Sequence, residues 1–446
     1  AVEPAMKITR FPSNPGPAAW EAILPARAPF PVLETDETAD WLIIGAGFAG
    51  LAAARRLSQA RAGDKITVLD ALRVGEGPAG RNTGFMIDLP HDLASNDYGG
   101  SLDADRATIA RNRAAITFAE DMMRDLDLPK GAFQKIGKIN GAASAKGMVH
   151  NAQYAVHLNA LNEPSELLDA KQMREITGST YYQGGLFTPG TVMLQPALFM
   201  RSIAQKLSSN RVTLYEQSAV RALDRVGDMW HARTDRGSVK APKVILAVNG
   251  HAQSFGHFKR RLVHVYTYGS MTKRFPNDAL SGTANWGLTP ADPLGSTVRR
   301  ISDPNGTRLI VRNRFTYEPD MSVSPAKLNR IWRTHDDSFK ARFPDLKDIE
   351  IEHRWGGHLC LSLNNVPAFG EVDVGLFSAC CQNGLGTVQG TLGGMMAADL
   401  ATGHQSRLLR ELLQLNAPSK LPPRPIATLG ARARLLWGEK KAGVEL

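Results

Sequence analysis

The sequence predicts an α/β fold: a parallel-sheet domain built from separate chain segments, interleaved with an α+β domain on a mainly antiparallel sheet. Three observations carry this. The apolar run Trp41-Leu42-Ile43-Ile44 leads straight into Gly45-Ala46-Gly47-Phe48-Ala49-Gly50 and an alanine-rich helical stretch to Arg56. Near the other end, Leu376–Cys381 leads into Gln382-Asn383-Gly384-Leu385-Gly386-Thr387 and a small-residue stretch from Val388 to Ala401. Between them, residues 260–316 alternate like strands and 325–343 have amphipathic spacing, the pattern of a sheet covered on one face.

The first stretch has the strand–turn–helix context of a Rossmann-type dinucleotide fingerprint. Gly45 allows the tight turn, Gly47 lets the backbone approach a pyrophosphate, and Gly50 lets the helix pack on the strand. Phe48 and Ala49 then open a helix whose unpaired N–H groups and dipole favour negative charge. A second strand, Lys65–Leu69, ends in Asp70-Ala71. An acid about 20 residues past the last glycine is placed to bind a ribose hydroxyl pair.

Length and composition narrow the class. A chain of 446 residues exceeds what one core normally serves. With 43% hydrophobic and 22% charged residues it is an ordinary globular sequence. No apolar run reaches the roughly 18–20 residues of a membrane span. No signal peptide is expected, and Ala1–Ala5 ahead of Met6 read as a foreign leader. Cys360, Cys380 and Cys381 offer neither a disulfide framework nor metal-ligand spacing, which suits a cytoplasmic home. The net charge of +10 is scattered, without the basic runs of a nucleic-acid binder, and reads as a surface that could focus an anionic substrate.

In chain order, a Pro- and aromatic-rich arm (1–35) is expected to lie over the fold. A glycine-rich loop, 75–86, follows the ribose acid and is longer than a usual β–α connection, so it is expected to cover the ligand. Helices are expected over 103–125, 164–176 and Pro196–Leu207, with strands over 132–160. Strands at 212–248 end in Asn249-Gly250, beside the ligand crevice. The expected division is 36–98, 185–250 and 356–420 for the dinucleotide domain, 99–184 and 251–355 for the substrate domain. A basic tail, 421–446, has a helix that could touch a partner or an anionic membrane surface.

Taken together, Ile43–Gly50, Gly80-Arg81-Asn82-Thr83-Gly84, Trp355-Gly356-Gly357 with Asn365-x-Pro367-x-Phe369-Gly370, and Asn383–Gly386 resemble the FAD-dependent D-amino acid oxidase family. The resemblance is greatest to its γ-glutamylputrescine oxidase-like branch, near glycine and sarcosine oxidases. It implies oxidation of an amine or amino acid at its C–N bond, with hydride passing to flavin N5 and the imine then hydrolysed. It implies FAD contacts at Gly45, Gly47, Phe48, Ala49, Gly50, Asp70, Ala71, Gly80, Arg81, Asn82, Thr83, Val220, Asn249 and Gly384-Leu385-Gly386-Thr387. Arg81, His251, Tyr266, Tyr268, Arg312 and Trp355 are candidates for substrate binding, and no catalytic residue is singled out. The sarcosine oxidase attachment cysteine aligns with Gly357, so FAD is expected to be non-covalent. That enzyme's oxygen-activating lysine aligns near Ile310, which puts oxygen in doubt as acceptor. A dehydrogenase serving a partner protein or quinone, a non-catalytic FAD subunit and an NAD-linked enzyme are the alternatives; the turn at 383–387 and the loop 75–86 argue against NAD.

Overall fold

The computed structural model describes residues 6–90 and 100–446. Its centre is a six-stranded sheet in the order Val212–Tyr215, Ile66–Leu69, Trp41–Ile44, Lys243–Leu246, Leu376–Cys380, Ala368–Asp373. The first five strands run parallel and the last pairs antiparallel. Trp41–Ile44 and Ile66–Leu69 are buried at every position, because the sheet is covered on both faces. One cover is the pair Phe48–Ala60 and Thr391–Thr402, joined by Leu102–Asp125 and Pro196–Leu207 in one core. The other is a five-stranded sheet, whose Leu223, Trp230 and Val239 pack on Leu42, Ile44, Val244 and Leu246.

An eight-stranded sheet forms the second layer system, in the order Ile351–Leu361, Val263–Thr272, Gly306–Tyr317, Thr297–Asp303, Trp286–Pro290, Lys138–Ala142, Gly184–Thr188, Glu166–Asp169. Most of its pairs are antiparallel, with one parallel junction between Trp286–Pro290 and Lys138–Ala142. The helix Pro325–Arg342 covers one face through Ile331 and Phe339. The mixed α/β class and the interleaving of chain segments are as the sequence implies.

Several expected boundaries move. The divisions at 185 and 356 fall inside strands Gly184–Thr188 and Ile351–Leu361, both in the eight-stranded sheet. Residues 132–160 are not all strand: after Phe133–Lys135 and Lys138–Ala142, a helix runs over Ala145–Ala160. Its inward stripe is Gly147, Asn151, Tyr154 and Leu158, so two of its four buried positions carry no apolar signal. Residues 164–176 split into the strand Glu166–Asp169 and the helix Ala170–Thr177, because Asp169 and Gln172 form a reciprocal cap that starts the helix there. The helix expected from Val388 begins two residues earlier as a wide π turn, Gly386–Gly390. Residues 1–5 of the arm and 91–98 of the first dinucleotide segment lie outside the described residues.

The approach of Phe48–Ala60 to Thr391–Thr402 rests on Gly394: a Cβ there would stand 2.0 Å from the Ala49 carbonyl oxygen. Gly394→Val should force the helices apart and cost about 1–3 kcal/mol, the usual range for overpacking. Thermal unfolding of the variant, flavin-free, checks this.

Candidate functional site

One continuous cavity runs from the end of the first parallel strands to the uncovered face of the eight-stranded sheet. At the first end, Gly45, Ala46, Gly47, Phe48 and Ala49 line it, opposite Asp70, Ala71 and Val220. Gly45 has φ +105, and a Cβ there would stand 2.2 Å from the Ala247 carbonyl oxygen, so only glycine makes this turn. Gly50 is not in the cavity wall; a Cβ would lie 1.7 Å from Gly45 O, which is the close helix–strand packing expected of it. Gly47 differs: its Cβ would meet nothing nearer than the Ala79 Cβ at 3.5 Å. The space it leaves open belongs to the cavity at a helix N-terminus.

Asp70 accepts from Ala46 N (2.7 Å) and Leu72 N (2.8 Å), one bond to each oxygen. Burial pushes its carboxyl up to about 6, against the opposing pull of those two amides. Beside it, buried Glu216 accepts from Phe30 N and Val74 N and pairs with Arg27, which fastens the N-terminal arm at this end.

The loop 75–86 crosses the middle. Gly80 packs rather than lines, since a Cβ would be 1.8 Å from Gly75 O. Arg81, Asn82 and Thr83 line the cavity, and each is tied down. The Arg81 guanidinium donates to the carbonyls of Glu76, Pro15, Gly16 and Gly356. Burial lowers it to about 10, so it stays charged at neutral pH. Asn82 Oδ1 accepts from Gly84 N and its carbonyl accepts from Trp20 Nε1. Arg299, fully buried and lowered to about 9 by burial, donates to Thr83 O and Leu194 O. From the other side Asn249, Gly384, Leu385, Gly386 and Thr387 complete the wall. Asn249 Oδ1 accepts from Gln382 N (3.1 Å), and the Thr387 hydroxyl donates to Phe85 O (2.8 Å).

At the far end the wall is the eight-stranded sheet and the arm. Arg312 and Phe315 both face the cavity, three residues apart on one strand. A bulge makes this possible: Thr267 pairs with Phe315 and Tyr268 with Asn313, so Arg314 is extra, at φ +64. Thr297, directly across from Arg312, is fully buried and its hydroxyl has no partner. Thr289 also lines the cavity and binds Lys138 Nζ behind it (2.9 Å), a buried amine lowered to about 7 by desolvation.

The expected substrate residues divide. Arg312, His251 and Tyr266 line the cavity together with Arg81. Tyr268 does not: it sits with Ile331 and Trp332 under the helix Pro325–Arg342, its hydroxyl against Thr316 Oγ1. Trp355 does not either; it packs on Trp20 and Ile310, and its Nε1 donates to Arg81 O (2.9 Å). Both lie one pleat beyond the cavity on their strands, where Tyr266 and Gly357, two residues away, line it instead. Sequence reasoning missed Arg10–Asn14, Thr289, Thr297 and His358 in the wall, and His264 behind His358. The His264 Nδ1 and His358 Nε2 atoms lie 3.0 Å apart, and burial holds both rings, with His251, below the usual histidine range.

Two engaged oxygens on a ribose-type acid, an open glycine at a helix start and an orphaned hydroxyl at the far end fit a long dinucleotide with room beyond it. Residues 40–400 match the family model described as FAD dependent oxidoreductase. The chain belongs to this family. FAD is therefore its cofactor, and oxidation–reduction its chemistry. The chain is 26% identical to a probable oxidoreductase of Rhizobium meliloti over 422 residues, covering 92% of this chain and 93% of that one. It is also 26% identical to the γ-glutamylputrescine oxidoreductase of Escherichia coli, covering 85% and 87%. In fold it is similar to glycine oxidase from Geobacillus kaustophilus, with TM-score 0.69, 18% identity, and 86% and 98% covered.

Gly47→Val should keep the flavin-free fold, since the added Cβ meets only Ala79, yet lose FAD because the side chain enters the cavity. Flavin content against circular dichroism checks it. Asp70 gives two opposite pH trends. Its raised folded-state pKa stabilises the flavin-free protein below the ordinary carboxyl value of 3.8, and this contribution is lost as pH rises through about 6. FAD affinity should move the other way, falling as pH drops through about 6, because the ionised form accepts the amides and a ribose hydroxyl pair together. Asp70→Ala should flatten both profiles, measured by thermal unfolding and by flavin titration.

Proposed function

We propose that this enzyme oxidises the C–N bond of an amine or amino acid that also carries an anionic group. The charge of the cavity wall carries the reading: among the described residues it has four arginines, Arg10, Arg73, Arg81 and Arg312, and one acid, Asp70, which stands with Arg73 at the end away from Arg312. Arg81 is engaged by carbonyls, and Arg312, on the cavity wall directly across from the Thr297 hydroxyl, is placed to take a carboxylate or sulfonate. Among the described residues no acid lines this end to hold a substrate ammonium, and the buried imidazoles are neutral, so the amine is received uncharged. FAD, when bound, supplies the two-electron acceptor for the C–N bond. The chain's part is placement: Arg312 fixes the anionic group, while Tyr266 and His358, with ring centroids 5.3 Å apart, wall the site against the arm.

The relatives' names support the substrate class: γ-glutamylputrescine oxidoreductase and, in fold, glycine oxidase and iminodiacetate oxidase all act on C–N compounds. Gly357 has no side chain to attach a flavin, and burial and Cys381 push the Cys360 thiol well up, which makes it a poor nucleophile and supports non-covalent FAD. No lysine lines the cavity among the described residues, and Ile310 is buried against Trp20 and Trp355, which favours an acceptor other than oxygen. The substrate part of the fold is the eight-stranded sheet with its helices, and the six-stranded sheet with its covers holds FAD. Three buried free cysteines suit a reducing, cytoplasmic setting.

Anaerobic bleaching of the FAD-loaded protein by an amine panel tests this. Amines bearing a carboxylate or sulfonate should bleach it, and simple diamines should not; the reverse order overturns the reading. Arg312→Met should raise KM for the anionic substrate roughly 10- to 100-fold, the worth of a lost charge-assisted hydrogen bond. Acid precipitation should release the yellow colour to the supernatant. Air should restore the bleached colour more slowly than an added quinone.

A further inference from the structure

The C-terminal helix Arg424–Ala442 turns a large apolar surface to solvent. Ile426 is 60% exposed, Leu429 72%, Leu436 68% and Trp437 64%. With exposed Ala433 they follow the spacing i, i+3, i+7, i+10, i+11, which is one stripe along a helix. The stripe is held in place on a folded surface. On the inward face Gly438 and Ala442 are buried, Glu439 pairs with Arg314 (2.8 Å), and a Cβ at Gly438 would stand 2.2 Å from Leu294 Cδ1. Just beyond the helix, the Glu445 carboxylate accepts from Ala143 N and Ser144 N. At the front, Arg424 pairs with Asp320.

Charge is arranged around the stripe with one sign. At about 100° per residue, Arg432 flanks one side of it, Arg434 and Lys441 the other, and Lys440 lies in its last turn. Lys441 Nζ sits over the Trp437 ring at 5.6 Å. The helix's one acid, Glu439, is turned inward to Arg314. Apolar side chains and a tryptophan on one face, with lysine and arginine on both flanks, are the features of a helix lying in a lipid–water interface. No helix among the described residues is long and apolar enough to cross a membrane. A second copy on this face would set basic flanks against basic flanks across a two-fold axis. We propose that this helix docks the enzyme on an anionic membrane surface, its apolar stripe entering the headgroup boundary and its basic flanks contacting acidic headgroups. This rests on the helix alone, independently of the reaction at the cavity.

The test is co-sedimentation of the full-length, FAD-loaded protein with lipid vesicles. Vesicles of phosphatidylcholine with about 30% phosphatidylglycerol should bind it at least about tenfold more tightly than phosphatidylcholine alone, and added salt should weaken binding. Leu429→Gln with Leu436→Gln, and separately Arg432→Glu with Lys440→Glu, should abolish binding while flavin content and thermal unfolding stay unchanged. Brominated lipid should quench the wild-type protein more than Trp437→Phe. Failure to bind anionic vesicles, or equal binding to neutral ones, overturns the proposal. So does sedimentation of the wild type as a dimer that the Leu429→Gln, Leu436→Gln variant dissociates, since the stripe is then a subunit interface.

Discussion

A half-buried guanidinium that donates only to carbonyls holds the cavity together. Arg81 reaches Glu76 within its own loop, Pro15 and Gly16 in the arm, and Gly356 in the edge strand of the eight-stranded sheet. Its own carbonyl accepts from Trp355 Nε1, so backbone and side chain brace the same junction. Arg299 repeats the device one step along the loop, at Thr83 and Leu194, with Trp20 beneath its guanidinium at 5.0 Å. Arginine suits this work because its fan of donors satisfies several carbonyls from one side chain. The loop that lines the middle of the cavity is thereby fixed to three distant parts of the chain.

The opposite wall depends on a single irregularity. Along a regular strand Arg312 and Phe315 would point to opposite faces. The extra residue Arg314 brings both to the cavity, and Asn313 is left to face Ser296 and His335. The bulge thus sets a charged and an aromatic side chain on one cavity wall without adding an element.

The local half of this site was legible in the residues. Gly45, Gly47, Gly50 and Asp70 act over a few turns of chain, and their spacing encodes strand, turn and helix directly. The same holds for the second turn at Gly384–Thr387. What the residues do not announce is register. Tyr268 and Trp355 belong to strands rich in plausible contacts, and only pairing decides that Tyr268 lies under Trp332 and Trp355 against Ile310. The bulge at Arg314 and the orphaned hydroxyl of Thr297 are equally products of pairing. The arm was expected to lie over the fold, yet its role as a cavity wall at Arg10–Asn14 follows from hydrogen bonds to Tyr266 and His358, hundreds of residues away.

The charges of the cavity also explain why fold and cofactor belong together. Burial works against the ionised forms of Arg81, Arg299 and Asp70 alike, and among the described residues Arg299 has no ion pair. At neutral pH both arginines nonetheless stay charged, so the flavin-free protein carries buried positive charge that nothing in the chain fully offsets. A pyrophosphate-bearing ligand adds negative charge to a cavity that Arg81 lines and Arg299 braces from behind Thr83, and by linkage it stabilises the folded state that binds it. The stability of the empty protein is thus traded for tight placement of FAD. Substituting either arginine by an apolar residue would relieve the charge but release the loop, because the carbonyls it serves would be left unsatisfied.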